Sequence, residues 1–357
     1  PGQADAYTEI TVEVGAPTLY YYCTNHSGMG DGQSASTGST TLDISGVSYT
    51  NKSFSGAPEV TFATGVTFNP TGTKMIISNF WGNTFYTYSL STEWDVTTAI
   101  YDGSGGNYTL ASEQGALLSF CFGDNGTKLY TLDHNATRYW QHTLTTPYDV
   151  STASSDNKSL YHFDTNSLPR GAAFSTDGTK FYASAEGYSQ DSSQRPGIFQ
   201  WNLSSAWDIS TASYSNQWLD VSEDATYTAT RAYGIGSMYF NSSGTQVFLQ
   251  DWKANDIKQY DLTTPWDMST ASYSNNSFDV SNEMGSVQRG ITFDPAGTKM
   301  YTVDQNNNTV YQYDTNGTWT SVGAAPAENS LVLNSSNTVL LATATGTSDN
   351  NNITDSS

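Results

Sequence analysis

Apolar and polar residues alternate along most of this chain in short runs, and the runs recur in a fixed order. Gly65-Val-Thr-Phe68 alternates, Asn69-Pro-Thr-Gly72 breaks the pattern, and the apolar Met75-Ile-Ile77 follows. Period-two alternation bounded by Gly, Pro and Asn predicts a half-buried strand, a tight turn and a second strand. The frame, a Phe four residues before a Gly-Thr pair, returns at Phe122/Gly126, Phe174/Gly178, Phe240/Gly244 and Phe293/Gly297, with the glycines 52 to 66 residues apart. A third run is shared closely by Tyr139-Trp-Gln-His-Thr-Leu144, Ile198-Phe-Gln-Trp-Asn-Leu203, Ile257-Lys-Gln-Tyr-Asp-Leu262 and Val310-Tyr-Gln-Tyr-Asp-Thr315. An aromatic–Asp pair comes next (Trp94-Asp95, Tyr148-Asp149, Trp207-Asp208, Trp266-Asp267), then a fourth run such as Ser277-Phe-Asp-Val280. Four short strands per unit, repeated at this period, predict an all-β propeller of four-stranded blades.

The ends of the repeat region predict how the ring closes. Leu42–Phe54 aligns without gaps on Trp266–Phe278, the end of a repeat, so a spare fourth strand is expected over residues 47–55. Leu331–Leu341 reads as a degenerate first strand, turn and second strand. Pairing the two would complete one blade and leave no open sheet edge. Five full units plus this shared one predict six blades, or seven if sequence continues beyond Ser357. The expected division is an N-terminal β segment and linker over residues 1–40, then a propeller over residues 41–357.

Composition narrows the partners. The chain has 357 residues and a net charge of −21 with 13 Lys and Arg, which excludes a basic nucleic-acid footprint and attraction to anionic membranes. No apolar run is long enough for a membrane-spanning helix. The chain starts at Pro1, as a fragment or processed product would. Cys23 and Cys121 are too few for a disulfide framework, and Cys121 is expected as a buried free thiol.

Candidate chemistry lies in three places. Cys23, His26 and Met29 put a thiolate, an imidazole and a thioether on one loop, a donor set that suits copper. No second His precedes Cys23, so a structural remnant is the competing reading. The aromatic–Asp pairs recur at one position from unit to unit, which favours a structural role: the ring packs and the Asp caps a turn. Aromatics outside the repeat, Trp81, Tyr188, Tyr227, Tyr233 and Trp252, are candidates for a glycan-contacting face with Arg195. Two excursions, Glu186–Gly197 and Glu223–Tyr233, break the repeat and are the places to expect function, because loops on rigid scaffolds carry it. Acidic pairs there (Glu186/Asp191, Glu223/Asp224) are expected to be solvated. Carboxylates gathered in a central channel would act as acid and base or hold Ca²⁺. No catalytic motif occurs, so no enzyme activity is expected.

Leu19-Tyr-Tyr-Tyr-Cys-Thr-Asn-His-Ser-Gly-Met-Gly30 resembles the end of cupredoxin-like modules in structural proteins of marine bacteriophages. The repeat over roughly residues 42–345 (Phe-x-Pro-x-Gly-Thr-Lys-Met-Tyr, then Val-Tyr-Gln-Tyr-Asp-Leu, then Pro-Trp-Asp-x-Ser-Thr-Ala) is similar to propeller repeats of marine phage and secreted bacterial proteins. The resemblance implies a non-enzymatic virion surface protein: a tail fibre, tail tip or head appendage. It would recognise a host surface glycan or protein, or other virion proteins, and be oligomeric through attachment to a larger assembly. A secreted glycan-binding or glycan-degrading propeller is the alternative. Neither reading calls for nucleic acid or membrane insertion.

Overall fold

The computed structural model describes residues 40–110, 115–162, 167–187, 196–222, 224, 234–284 and 287–315, together with the short pieces 19–20, 34–35, 320–321, 332–333 and 340–341. The chain divides into two units, residues 43–317 and residues 1–42 with 318–357. The larger is a β-propeller of five blades. The smaller is described only as three short antiparallel pairs: Leu19–Tyr20 with Ser34–Ala35, Thr40–Thr41 with Thr320–Ser321, and Val332–Leu333 with Leu340–Leu341.

Each blade is an antiparallel sheet laid down from the axis outward. The inner strands are Ala63–Phe68, Leu117–Gly123, Ser167–Phe174, Ile235–Phe240 and Gln288–Phe293. In the second to fourth blades three further strands follow in sequence order. In the first blade the outer position is split between Ala99–Tyr101 and Tyr108–Thr109, both paired with Thr84–Leu90. In the fifth, the outer strand is Ser48–Ser55 from the other end of the propeller unit, paired with Thr309–Asp314.

That pairing corrects the expected blade number from six or seven to five. The repeat around Phe293 is not a full unit, because no aromatic–Asp–x–Ser–Thr–Ala segment follows its third strand. Its open edge is filled by the spare strand over 47–55. The partner of that strand is thus Thr309–Asp314 and not the partial unit near Leu331–Leu341.

The repeat residues join one blade to the next. Gly72, at φ +68°, holds the turn after Phe68, and a Cβ there would sit 2.3 Å from the Trp94 ring. Glycine satisfies both the left-handed backbone and the space. Tyr148, Trp207 and Trp266 cover Gly126, Gly178 and Gly244 in the same way. Asp95, Asp149, Asp208 and Asp267 cap the 3₁₀ turns that follow, each accepting the N–H two residues on at 3.0–3.1 Å. Asp43 does the same for the fifth blade at 2.9 Å. The aromatic–Asp pairs are therefore structural. Gln141 Oε1 accepts the N–H of Ile209 in the next blade at 2.9 Å, and Gln200 that of Met268 at 3.0 Å. Tyr130 and Tyr182 donate to the Trp207 and Trp266 carbonyls, both at 2.6 Å.

The core lies between neighbouring blades. Tyr182, Ile198 and Leu219 of the third pack on Met238, Leu249 and Tyr260 of the fourth. Tyr301, Val303 and Val310 of the fifth pack on Val66, Phe68, Met75 and Ile77 of the first, so the last blade meets the first as any other pair does. Each such side chain contributes on the order of 1.5–3 kcal/mol by leaving water. Cys121 sits half-buried against the core cluster of the second and third blades as a free thiol, and burial pushes its pKa well up, which removes it from thiolate chemistry.

Candidate functional site

The five inner strands approach so closely that only small residues fit between them. Three residues before each repeat Phe stand Gly65, Ser119, Gly171, Ser237 and Gly290, and the register of each inner strand shifts at this level. A Cβ on Gly290, whose φ is +61°, would lie 2.8 Å from the Gly65 Cα. At this level lies a cavity of about 30 Å³, lined by Gly65, Ser119, Ala172, Ser237, Gly290 and their neighbours, with no carboxylate in its lining. The channel carboxylates expected from sequence are not in this cavity.

Chemistry gathers at one mouth of the axis, where inner strands begin and second strands end. Four second strands finish on an Asx residue that binds local backbone. Asn79 Oδ1 accepts from Phe62 N at 2.8 Å, Asp133 Oδ1 from Asn135 N at 2.9 Å, Asp251 Oδ1 from Lys253 N at 3.1 Å and Asp304 Oδ1 from Asn306 N at 2.8 Å. The third blade has Ala185 at this register position, opposite Pro169, and its carboxylate comes one residue later, at Glu186. Glu186 is freed from capping a turn.

Glu186 is instead buried, at 4% exposure, which corrects its expected solvated state. One oxygen accepts from Arg170 Nη2 at 2.8 Å and the other from Trp252 Nε1, in the next blade, at 2.6 Å. Arg289 of the fifth blade places its guanidinium 5.5 Å from the centre of the Trp252 ring, while Lys253 Nζ lies 5.4 Å from that centre. Arg289 Nε donates to Gln305 Oε1 at 2.8 Å, a neutral acceptor. Arg170 and Arg289 occupy the same repeat position, four residues before Phe174 and Phe293; the other blades carry Thr64, Leu118 and Gly236 there.

One carboxylate thus serves two guanidinium groups unequally: Glu186 is ion-paired to Arg170, while Arg289 has no ion pair among the described residues. Burial, and then the charge of Arg170, bring the Arg289 pKa down to about 10, partly opposed by Glu186. His134, on the second blade, is held below the usual imidazole range by burial and by Arg170 and Arg289. Its ring lies 6.0 Å from that of Phe80, and its Nδ1 is buried without a hydrogen bond. Arg170 Nε is likewise buried and unpaired.

Of the sequence-predicted site residues, the structure places Trp252 in this cluster. Trp81 belongs to the same face, at the end of the first blade's second strand; it is 63% exposed and packs edge-on to Phe80, 4.8 Å between ring centres. Tyr188, Arg195, Tyr227 and Tyr233 lie outside the described residues, as do Cys23, His26 and Met29. Among the described residues no cluster of three His, Cys, Asp or Glu could hold a metal ion. Sequence reasoning missed Arg170, Arg289, His134 and Gln305.

Comparison with known proteins assigns no family. No family model matches the chain, and no curated protein matches it. Among solved structures, a functionally unknown protein from Desulfotomaculum acetoxidans aligns at 10% identity over 68% of this chain, with a TM-score of 0.37; the alignment spans 62% of that protein. A candidate 6-phosphogluconolactonase from Bacteroides uniformis aligns at 11% identity over 75% of this chain and 74% of its own, with a TM-score of 0.41. A β-propeller domain from Myceliophteria thermophila aligns at 12% identity over 75% of this chain and 99% of its own, with a TM-score of 0.39.

Proposed function

We propose that the protein is a non-enzymatic binding platform on a bacteriophage virion surface, in which the propeller presents one axial face to the host envelope or to a neighbouring subunit. The observation that carries the binding role is the convergence of Arg170, Glu186, Trp252 and Arg289 from three blades on one mouth of a tightly packed ring. The virion setting rests on the phage-like repeat and N-terminal segment. Residues 1–42 and 318–357, a separate unit, would serve attachment to a larger assembly.

A secreted glycan-degrading propeller would need an acid and a base near the scissile bond. Both oxygens of Glu186 are engaged, one by a cation and one by an indole N–H, which favours holding a ligand over cleaving one. The test applies the labelled full chain to host cells and to their extracted surface polysaccharide, with mass spectrometry of purified virions in parallel. Cell binding, an unaltered polysaccharide and the polypeptide in virions are expected. A depolymerised product would overturn the non-enzymatic reading, absence of cell binding the platform, and absence from virions the phage setting.

A further inference from the structure

We propose that Arg289, framed by Trp252 and Arg170 at the mouth of the axis, receives the carboxylate of an acidic saccharide. This rests on the binding-platform reading and specifies its ligand. Among the described residues, the Arg289 guanidinium is engaged only through Nε, by the neutral Gln305, and no carboxylate lies within ion-pair distance of it. Its two Nη groups form the planar edge that matches a carboxylate with two parallel hydrogen bonds. Glu186 cannot serve that edge, since Arg170 and Trp252 hold its oxygens. A half-buried cation with no ion-pair partner among the described residues costs folding free energy, and an incoming anion would offset the cost.

The rest of the molecule selects among anions. A net charge of −21 disfavours long polyanions such as nucleic acid or polyphosphate relative to a short acidic saccharide. Trp81, exposed on the same face and braced by Phe62 and Phe80, offers an apolar surface of the kind that stacks on sugar rings. Those features together point to a uronic-acid-type residue within a glycan.

The experiment is calorimetric titration of the full chain with tetragalacturonate, its methyl ester, inorganic sulfate and a tetraglutamate peptide. The acid is expected to bind, and the ester at least ten-fold more weakly; because that comparison uses the unaltered protein, it stands even if a variant fails to fold. Arg289→Gln is expected to bind the acid at least ten-fold more weakly while keeping the wild-type near-ultraviolet circular dichroism. Equal binding of acid and ester, or unchanged binding by a folded Arg289→Gln, would overturn the proposal. Sulfate or tetraglutamate binding as tightly as tetragalacturonate would overturn its saccharide part. Cell binding without tetragalacturonate binding would remove this inference and leave the platform reading standing.

Discussion

Gln312, in the third strand of the last blade, accepts a hydrogen bond from the backbone N–H of Val96 in the first, 3.1 Å away across 216 residues of sequence. Beside it, the Tyr301 hydroxyl donates to the Trp94 carbonyl at 2.7 Å. These are the same two contacts by which Gln141 and Tyr130 hold the second blade to the third. The junction where the ring closes is built like its other junctions.

Gln312→Ala should therefore destabilise the propeller about as much as Gln141→Ala, by roughly 1–3 kcal/mol each, because each leaves a buried N–H without an acceptor. Urea denaturation of both variants checks this. A negligible effect for Gln312→Ala alone would mean that the closing junction is not formed.

Gly290→Ala should cost more than Gly103→Ala. Both glycines have positive φ, which costs an L-residue about 1–2 kcal/mol. At Gly103 nothing lies within 4 Å of an added Cβ, whereas at Gly290 it would meet the backbone of Gly65. Thermal unfolding is expected to fall several degrees further for Gly290→Ala, and equal shifts would argue against close packing on the axis.

Arg170 and Arg289 should respond oppositely to removal of charge. Arg170→Met strands the buried Glu186 carboxylate and should lose about 3–5 kcal/mol. Arg289→Met removes a cation that burial and Arg170 disfavour, and should leave stability unchanged or raise it. Stability curves for the two variants decide this. A large loss for Arg289→Met would show that its charge is already compensated.

His134 sets a pH dependence. Its folded pKa lies below its unfolded value of about 6.5, so the unfolded chain binds the proton more readily. The contribution is present above that pH and is lost as pH falls through the folded pKa. His134→Gln should flatten the decline in stability below about pH 6.5; an unchanged slope would place the titration elsewhere.

The fold was largely legible because the repeat is written in residues whose geometry demands it: Gly72 under Trp94, Asp95 on its 3₁₀ turn, Gln141 reaching the next blade. The repeat overstates the blade number where one unit is incomplete. The copy around Phe293 carries its Phe, Gly-Thr and Tyr-Gln-Tyr but no aromatic–Asp segment, and counting it as whole added a blade. The site was less legible, since it consists of departures from the repeat and aligning copies draws the eye to what they share. Arg170 and Arg289 fall on a position that varies among copies. Glu186 stands one residue past the register where Asn79, Asp133, Asp251 and Asp304 cap their turns, and that displacement was the available signal. The partnership of Glu186 with Trp252, 66 residues away in the next blade, follows from ring geometry that a linear reading does not supply.

The ring of five, which brings Arg289 round to Trp252 and Arg170, is tested most directly by a cross-link at its seam. Ser53 and Tyr311 are register partners in the closing blade. In a background without Cys23 and Cys121, Ser53→Cys with Tyr311→Cys should oxidise to an intramolecular disulfide under mild conditions and raise the unfolding temperature. Ser53→Cys with Ser159→Cys, on the outer strand of the second blade, should not form one. Failure of the first pair, or efficient closure of the second, would contradict the five-bladed ring and the axial site built on it.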